Sequence, residues 1–87
     1  MAKNHANIAK HGVDMAEAGN FEFDTALTTP DTRRSYGERR IIALGVVRER
    51  VHVLVFTMRG AALRVISLRK ANHRETTTYH AKKKEQT

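Results

Sequence analysis

The chain has 87 residues, 16 of them Lys or Arg against nine Asp or Glu, a formal charge of +7 and no cysteine. That length suits one small domain, residues 1–87, with a single core. The lack of cysteine excludes disulfides and thiolate metal sites. No apolar run approaches the roughly 20 residues of a membrane span, and the N-terminus has no hydrophobic signal region, so the expectation is a cytoplasmic protein with no membrane contact.

Charge is unevenly spread. Residues 1–40 carry six basic and six acidic side chains, whereas residues 41–87 carry ten basic and three acidic. A surplus confined to one half attracts polyanions in a salt-dependent way, which suits nucleic acid or an acidic protein partner.

In chain order, Ala2 to His11 reads as a short helix stopped by Gly12, with Lys10 and His11 at the negative end of its dipole. A second helix is expected to follow, capped by Asp14, with Glu17 closing a capping box and Val13 against Ala18 as a staple. These elements and Phe21–Asp24, which alternates apolar and acidic as a short strand or an extended docking segment does, make residues 2–24 a mainly helical N-terminal segment. Residues 25–38, holding Pro30, Asp31, Arg33, Arg34, Ser35 and Gly37, read as a long loop.

The clearest signal is a three-stranded antiparallel meander within residues 39–68. Its segments, Arg39–Val47, Val51–Met58 and Ala62–Leu68, are rich in Ile, Val, Leu and Phe and joined by short turns. The middle segment is apolar on both faces and belongs inside a sheet. In the last one, Leu63, Val65 and Ser67 alternate with Arg64, Ile66 and Leu68, which places Arg64 as a charge among apolar neighbours. Residues 70–84 return to helix formers, with Asn72 and Glu75 as a capping box and Tyr79 the one large apolar residue. Lys82–Thr87 is a basic tail expected to fray.

No compact metal signature, phosphate loop or paired-carboxylate motif is present. His5, His11, His52, His73 and His80 are dispersed, and His52 reads as a satisfied sheet histidine. RNA cleavage without a metal needs a base for the 2′-OH, a cation for the charged phosphorane and help for the leaving oxygen. Arg64, Arg69, Glu75, Tyr79, Lys10 and His11 have the right chemical types. Each also has a structural reading: a paired strand arginine, an ordinary junction charge, a helix cap, a packing ring, a favourable helix terminus.

Taken together, Ala2-Lys3, Asn7, Lys10-His11-Gly12-Val13, Pro30-Asp31, Gly37-Glu38-Arg39, Arg59-Gly60 and the block Arg64-Val65-Ile66-Ser67 with Arg69-Lys70-Ala71, Glu75 and Tyr79 form a pattern. The chain resembles the BrnT family of bacterial type II toxins over nearly all of residues 2–80. The resemblance implies an α+β fold of the RelE/ParE-like kind, a small antiparallel β-sheet packed with N-terminal helices and a C-terminal helix. It also implies a ribonuclease that inhibits translation, with no cofactor. The partners it implies are RNA as substrate, a BrnA-like antitoxin, and operator DNA reached indirectly through the antitoxin complex. Arg64 and Arg69 would stabilise phosphate charge, and Glu75, Tyr79, Lys10 and His11 would orient groups or move protons. Family members usually begin with an extended Phe-Glu-Trp-Asp segment before the Ala-Lys pair, whereas here Met1 directly precedes Ala2-Lys3. The family's first strand is therefore expected to be missing, with a sheet edge left exposed. The alternatives are a non-catalytic protein that binds an antitoxin or nucleic acid, and a domain that oligomerises through that edge.

Overall fold

The computed structural model describes residues 2–33 and 37–85. Its elements are α1 (Ala2–His11), β1 (Leu27–Pro30), β2 (Ile41–Val47), β3 (Arg50–Arg59), β4 (Ala62–Lys70) and α2 (His73–Glu85), with short 3₁₀ helices at Met15–Asn20 and Phe23–Thr25. The four strands form one antiparallel sheet in the order β1-β2-β3-β4. This is the α+β, RelE/ParE-like architecture that the sequence implies, with three local corrections.

The first is an additional strand. Residues 25–38 were expected to be loop, yet Leu27–Pro30 pairs with Ile41–Leu44 and makes the sheet four-stranded. Its sequence, Leu-Thr-Thr-Pro, carries little apolar signal because three of its four residues are exposed. Pro30 is tolerated because β1 is an edge strand. Of the remaining loop residues named above, Arg34 and Ser35 lie outside the described residues.

The second concerns the N-terminal segment. Asp14 caps as expected, its Oδ1 accepting from Ala16 N at 2.8 Å, but the helix that follows is 3₁₀ and six residues long. Glu17 does not close a capping box; it accepts from Arg48 Nε at 2.6 Å on the β2–β3 turn. Phe21 and Glu22 are extended, with Glu22 N donating to Val46 O, before the chain turns at Phe23–Thr25.

The third is a β-bulge in β4. Val55 pairs with Ser67 while Phe56 pairs with Val65, so Ile66 is an extra residue opposite that step. A bulge of one residue reverses the side-chain alternation along the rest of the strand. Arg64, five residues before Arg69, would face the opposite side of a regular strand. With the bulge, Arg64 stands opposite Thr57 and Arg69 opposite Val53, on the same face.

Core residues lie on both faces. One cluster joins Val13, Phe21, Ala43, Val47, Leu54, Phe56 and Leu68 beneath the N-terminal segment. The ring of Phe21 fills the space that a Cβ at Gly45 would need. The other cluster, Val51, Val53, Ala71 and Tyr79, seals α2 against the opposite face. Its helix begins at His73, later than expected, because Arg69 and Lys70 still belong to β4. The Asn72–Glu75 capping box is present: Glu75 N donates to Asn72 Oδ1 at 2.8 Å and Asn72 N to Glu75 Oε1 at 2.9 Å. Helix α2 runs through Lys82, Lys83 and Lys84 to Glu85, and Gln86 and Thr87 lie outside the described residues. No helix among the described residues is long and apolar enough to cross a membrane.

Helix α1 is held to the outer edge of β4 by one side chain. Asn7, buried, donates from Nδ2 to Leu68 O at 2.8 Å and to Val13 O at 2.7 Å, and its Oδ1 accepts from Leu68 N at 3.1 Å. The amide behaves as a single peptide group of a neighbouring strand. Replacing it strands one buried donor and two acceptors, each costly to leave unmet. Urea denaturation should therefore find Asn7→Ala less stable by about 2–4 kcal/mol, far more than an exposed α1 substitution such as Lys10→Ala, which should fall within about 0.5 kcal/mol of wild type.

Candidate functional site

Strand β4 and its two flanking helices bring most of the sequence-derived candidates together. Arg69, near the strand's end, is fixed by Glu75: Nη1 donates to Oε1 at 2.7 Å and Nη2 to Oε2 at 2.8 Å. This bidentate pair is continuous with the capping box, since the same Oε1 accepts from Asn72 N. One carboxylate thus orders the first turn of α2 and the Arg69 guanidinium at once. The hydrogen bond from Arg69 holds the Glu75 carboxyl below its usual range, assisted by the Asn72 amide, and the same bond raises Arg69. A carboxylate so stabilised is a poor proton acceptor, and its geometry makes it an orienting group.

Arg64 lies four β3 positions from Arg69 on the same face, about 13 Å along the strand. It is half-buried and makes no ion pair among the described residues. Its guanidinium donors are therefore available to an anion, unlike those Arg69 spends on Glu75.

At the strand's edge, the C-terminal turn of α1 presents Lys10 and His11. Gly12, at φ 70°, ends the helix there, its amide donating to Ile8 O at 2.7 Å. The imidazole of His11 is held below its ordinary value by partial burial first, then by the neighbouring charges of Lys10 and Arg69. His11 thus lies within electrostatic range of Arg69 and favours its neutral form at neutral pH.

Tyr79 is placed differently. Its ring is buried in the cluster beneath α2, and its hydroxyl donates to Thr25 O at 3.4 Å. It fastens the weakly apolar helix to the sheet, and with it the Glu75 end of that helix. His52 is buried in β3 with Nδ1 on Arg50 O at 2.8 Å, the satisfied sheet histidine anticipated from the sequence.

Sequence reasoning missed two contributors. Arg33 follows β1 and lies near enough to Arg69 for its charge to oppose that of Arg69, while its own guanidinium pairs with the buried Asp31 carboxylate at 2.8 Å. No local pattern links it to β4, because the link runs through the unforeseen strand β1. The other is the role of Asn7, a residue of the family pattern to which the sequence assigns no contact.

The family model described as a ribonuclease toxin, BrnT, of a type II toxin-antitoxin system matches residues 1–75. Lys10, His11, Arg64, Arg69 and Glu75 fall within that span and Tyr79 beyond it. Comparison with curated proteins and with solved structures gave no match.

Lowered pKa values at Asp14, Glu17, Glu75 and His11 make stability depend on pH, and the last two belong to the candidate site. The folded chain lowers the pKa of both Glu75 and His11, so each binds fewer protons folded than unfolded over its titration range, and each contributes stability that is lost as pH falls. For His11 the loss runs downward from about pH 6.5, and for Glu75 from about pH 4.3 to the depressed value. Urea unfolding measured against pH should show Glu75→Gln losing less stability than wild type on acidification below about pH 4.3. At neutral pH Glu75→Gln should be the milder variant, because glutamine still closes the capping box, whereas Glu75→Ala should cost about 1–2 kcal/mol.

Proposed function

The chain belongs to the BrnT family of ribonuclease toxins of type II toxin-antitoxin systems, and on that premise we propose that it is a metal-independent endoribonuclease that cuts RNA on the α2-bearing face of the sheet and so inhibits translation. The observation that carries this reading is the bulge at Ile66, which puts Arg64 and Arg69 on one face, with Glu75 bonded to Arg69 and His11 within its electrostatic range. Among the described residues no group of three His, Asp or Glu side chains is arranged to hold a metal.

In the proposed reaction, the ribose 2′-oxygen attacks the adjacent phosphorus and gives up its proton to the neutral imidazole of His11. The new 2′-O–P bond forms as the P–O5′ bond breaks, leaving a 2′,3′-cyclic phosphate and a 5′-hydroxyl. Lys10 supplies the proton to the departing 5′-oxygen. Arg64 and the outward donors of Arg69 stabilise the charge that grows on the phosphorane oxygens, where fixed cations act most strongly. Glu75 and Tyr79 are positioning residues, the first aiming Arg69 and the second anchoring α2.

The same basic face suits an acidic segment of a BrnA-like antitoxin, which would cover the arginines and block RNA; operator DNA would be reached through that antitoxin. A passive antitoxin-binding or nucleic-acid-binding role has one point in its favour, the Glu75 carboxylate that already occupies two donors of Arg69.

Incubation of the purified chain with end-labelled RNA in EDTA separates these readings. The nuclease reading expects fragments with 2′,3′-cyclic ends. Arg64→Ala should slow cleavage by about 100-fold or more, and Glu75→Ala, which frees Arg69, by about 10- to 100-fold, each with an unchanged circular-dichroism spectrum. A folded chain that binds RNA and leaves it intact would point to the passive role.

A further inference from the structure

On the opposite face from Arg64 and Arg69, a cleft of about 290 Å³ opens between the α1–3₁₀ turn and the hairpin end of β2 and β3. Its walls include Gly12, Asp14, Glu17, Arg50, His52 and Lys70. That volume sits at the lower limit of ordinary ligand pockets, roughly 300–1,000 Å³, a size for a small polar group.

Pairing explains why the basic residues converge. His52 is the cross-strand partner of Lys70, and Arg50 lies two residues before His52, so all three project from one face. Of the carboxylates at the cleft, Glu17 is paired with Arg48, itself a lining residue, and Asp14 accepts from Ala16 N and Asn4 Nδ2. Arg50 and Lys70 are exposed and have no ion pair among the described residues.

His52 adds a group of opposite polarity. Its Nδ1 lies 2.8 Å from Arg50 O, and a carbonyl can only accept, so Nδ1 carries the proton of the neutral ring. Nε2 is left with a lone pair. Among the described residues it has no hydrogen-bond partner and no buried side-chain nitrogen or oxygen lacks one, so Nε2 meets solvent, which His52 reaches at this cleft. Two unpaired cations beside a fixed acceptor match a ligand that is anionic and also offers a hydroxyl. DNA backbone supplies phosphate alone; RNA supplies phosphate and a 2′-OH that can donate.

We propose that this cleft is a ribonucleotide subsite in which Arg50 and Lys70 hold a backbone phosphate and His52 Nε2 accepts the hydrogen bond of a neighbouring 2′-OH. The proposal rests on RNA being the polymer bound. It extends the path of that RNA around the end of β4, since Arg69 and Lys70 are consecutive and face opposite sides, with Gly12 in the wall of the cleft.

The test is fluorescence anisotropy with a labelled single-stranded RNA and the DNA of the same sequence, using the full chain in an Arg64→Ala background to slow cleavage. Added Arg50→Ala or Lys70→Ala should weaken both polymers by about tenfold and lower the salt slope by about one each. His52→Asn keeps a donor for Arg50 O and loses the Nε2 acceptor, and should bring RNA affinity down about 3- to 10-fold, toward that of DNA, with DNA unchanged. His52→Gln restores an acceptor near Nε2 and should keep the preference for RNA. Parent-like binding by folded Arg50→Ala and Lys70→Ala variants overturns the subsite, and if the wild-type chain still cuts RNA the nuclease reading survives. The expected losses in a chain that never cuts RNA would support the subsite and remove the nuclease reading, and a wild-type chain that neither binds nor cuts RNA removes both.

Discussion

The arrangement of this small protein depends on a single buried amide. Asn7 bonds both the N–H and the C=O of Leu68 and also the carbonyl of Val13, so one side chain ties α1 to the edge of the sheet and fixes the turn that follows. An edge strand presents unpaired backbone groups that must be covered or left to solvent. Here α1 covers that edge at the point where β4 is most buried, and Leu68 itself is completely enclosed. Val13, held through its carbonyl, then enters the core beside Phe21 and Leu54.

Both candidate sites inherit their geometry from that contact. On one side of β4, the end of α1 brings His11 within electrostatic range of Arg69; on the other, Gly12, Val13 and Asp14 form a wall of the cleft that holds His52 and Lys70. The bulge at Ile66 supplies the remaining constraint, because it alone returns Arg64 to the face of Arg69. Glu75 then links strand to helix, using one carboxylate for a cap and for a bidentate arginine pair. A surplus of positive charge is therefore spread over two faces of one strand.

What the sequence made legible was what depends on local pattern. The strands β2, β3 and β4 follow from dense β-branched runs, the stop of α1 from Gly12, and the start of α2 from Asn72 and Glu75, where spacing alone sets the hydrogen bonds. Strand β1 escaped because its pairing with β2 is long-range and its exposed threonines carry no alternation. The bulge escaped because Arg64 to Leu68 alternates well enough to read as a regular strand, and only pairing with β3 reveals the extra residue. Of the candidate residues, Arg64, Arg69, Glu75, Lys10 and His11 gather around β4 and its edge, whereas Tyr79 is spent on packing. The partnership of Asn7 with Leu68, 61 residues away, has no local signature.

Because α1, the core entry of Val13 and both sites are traced to the bond between Asn7 and Leu68, amide hydrogen exchange at Leu68 tests the account most directly. An outward-facing edge amide without a partner exchanges directly from the folded state, while one buried and bonded to a side chain is released only when α1 lifts or the chain unfolds. Leu68 N–H should exchange as slowly as the central amides of β3 in the wild-type chain and become fast in Asn7→Ala. Rapid exchange at Leu68 in the folded wild type, or slow exchange that persists without Asn7, would contradict it.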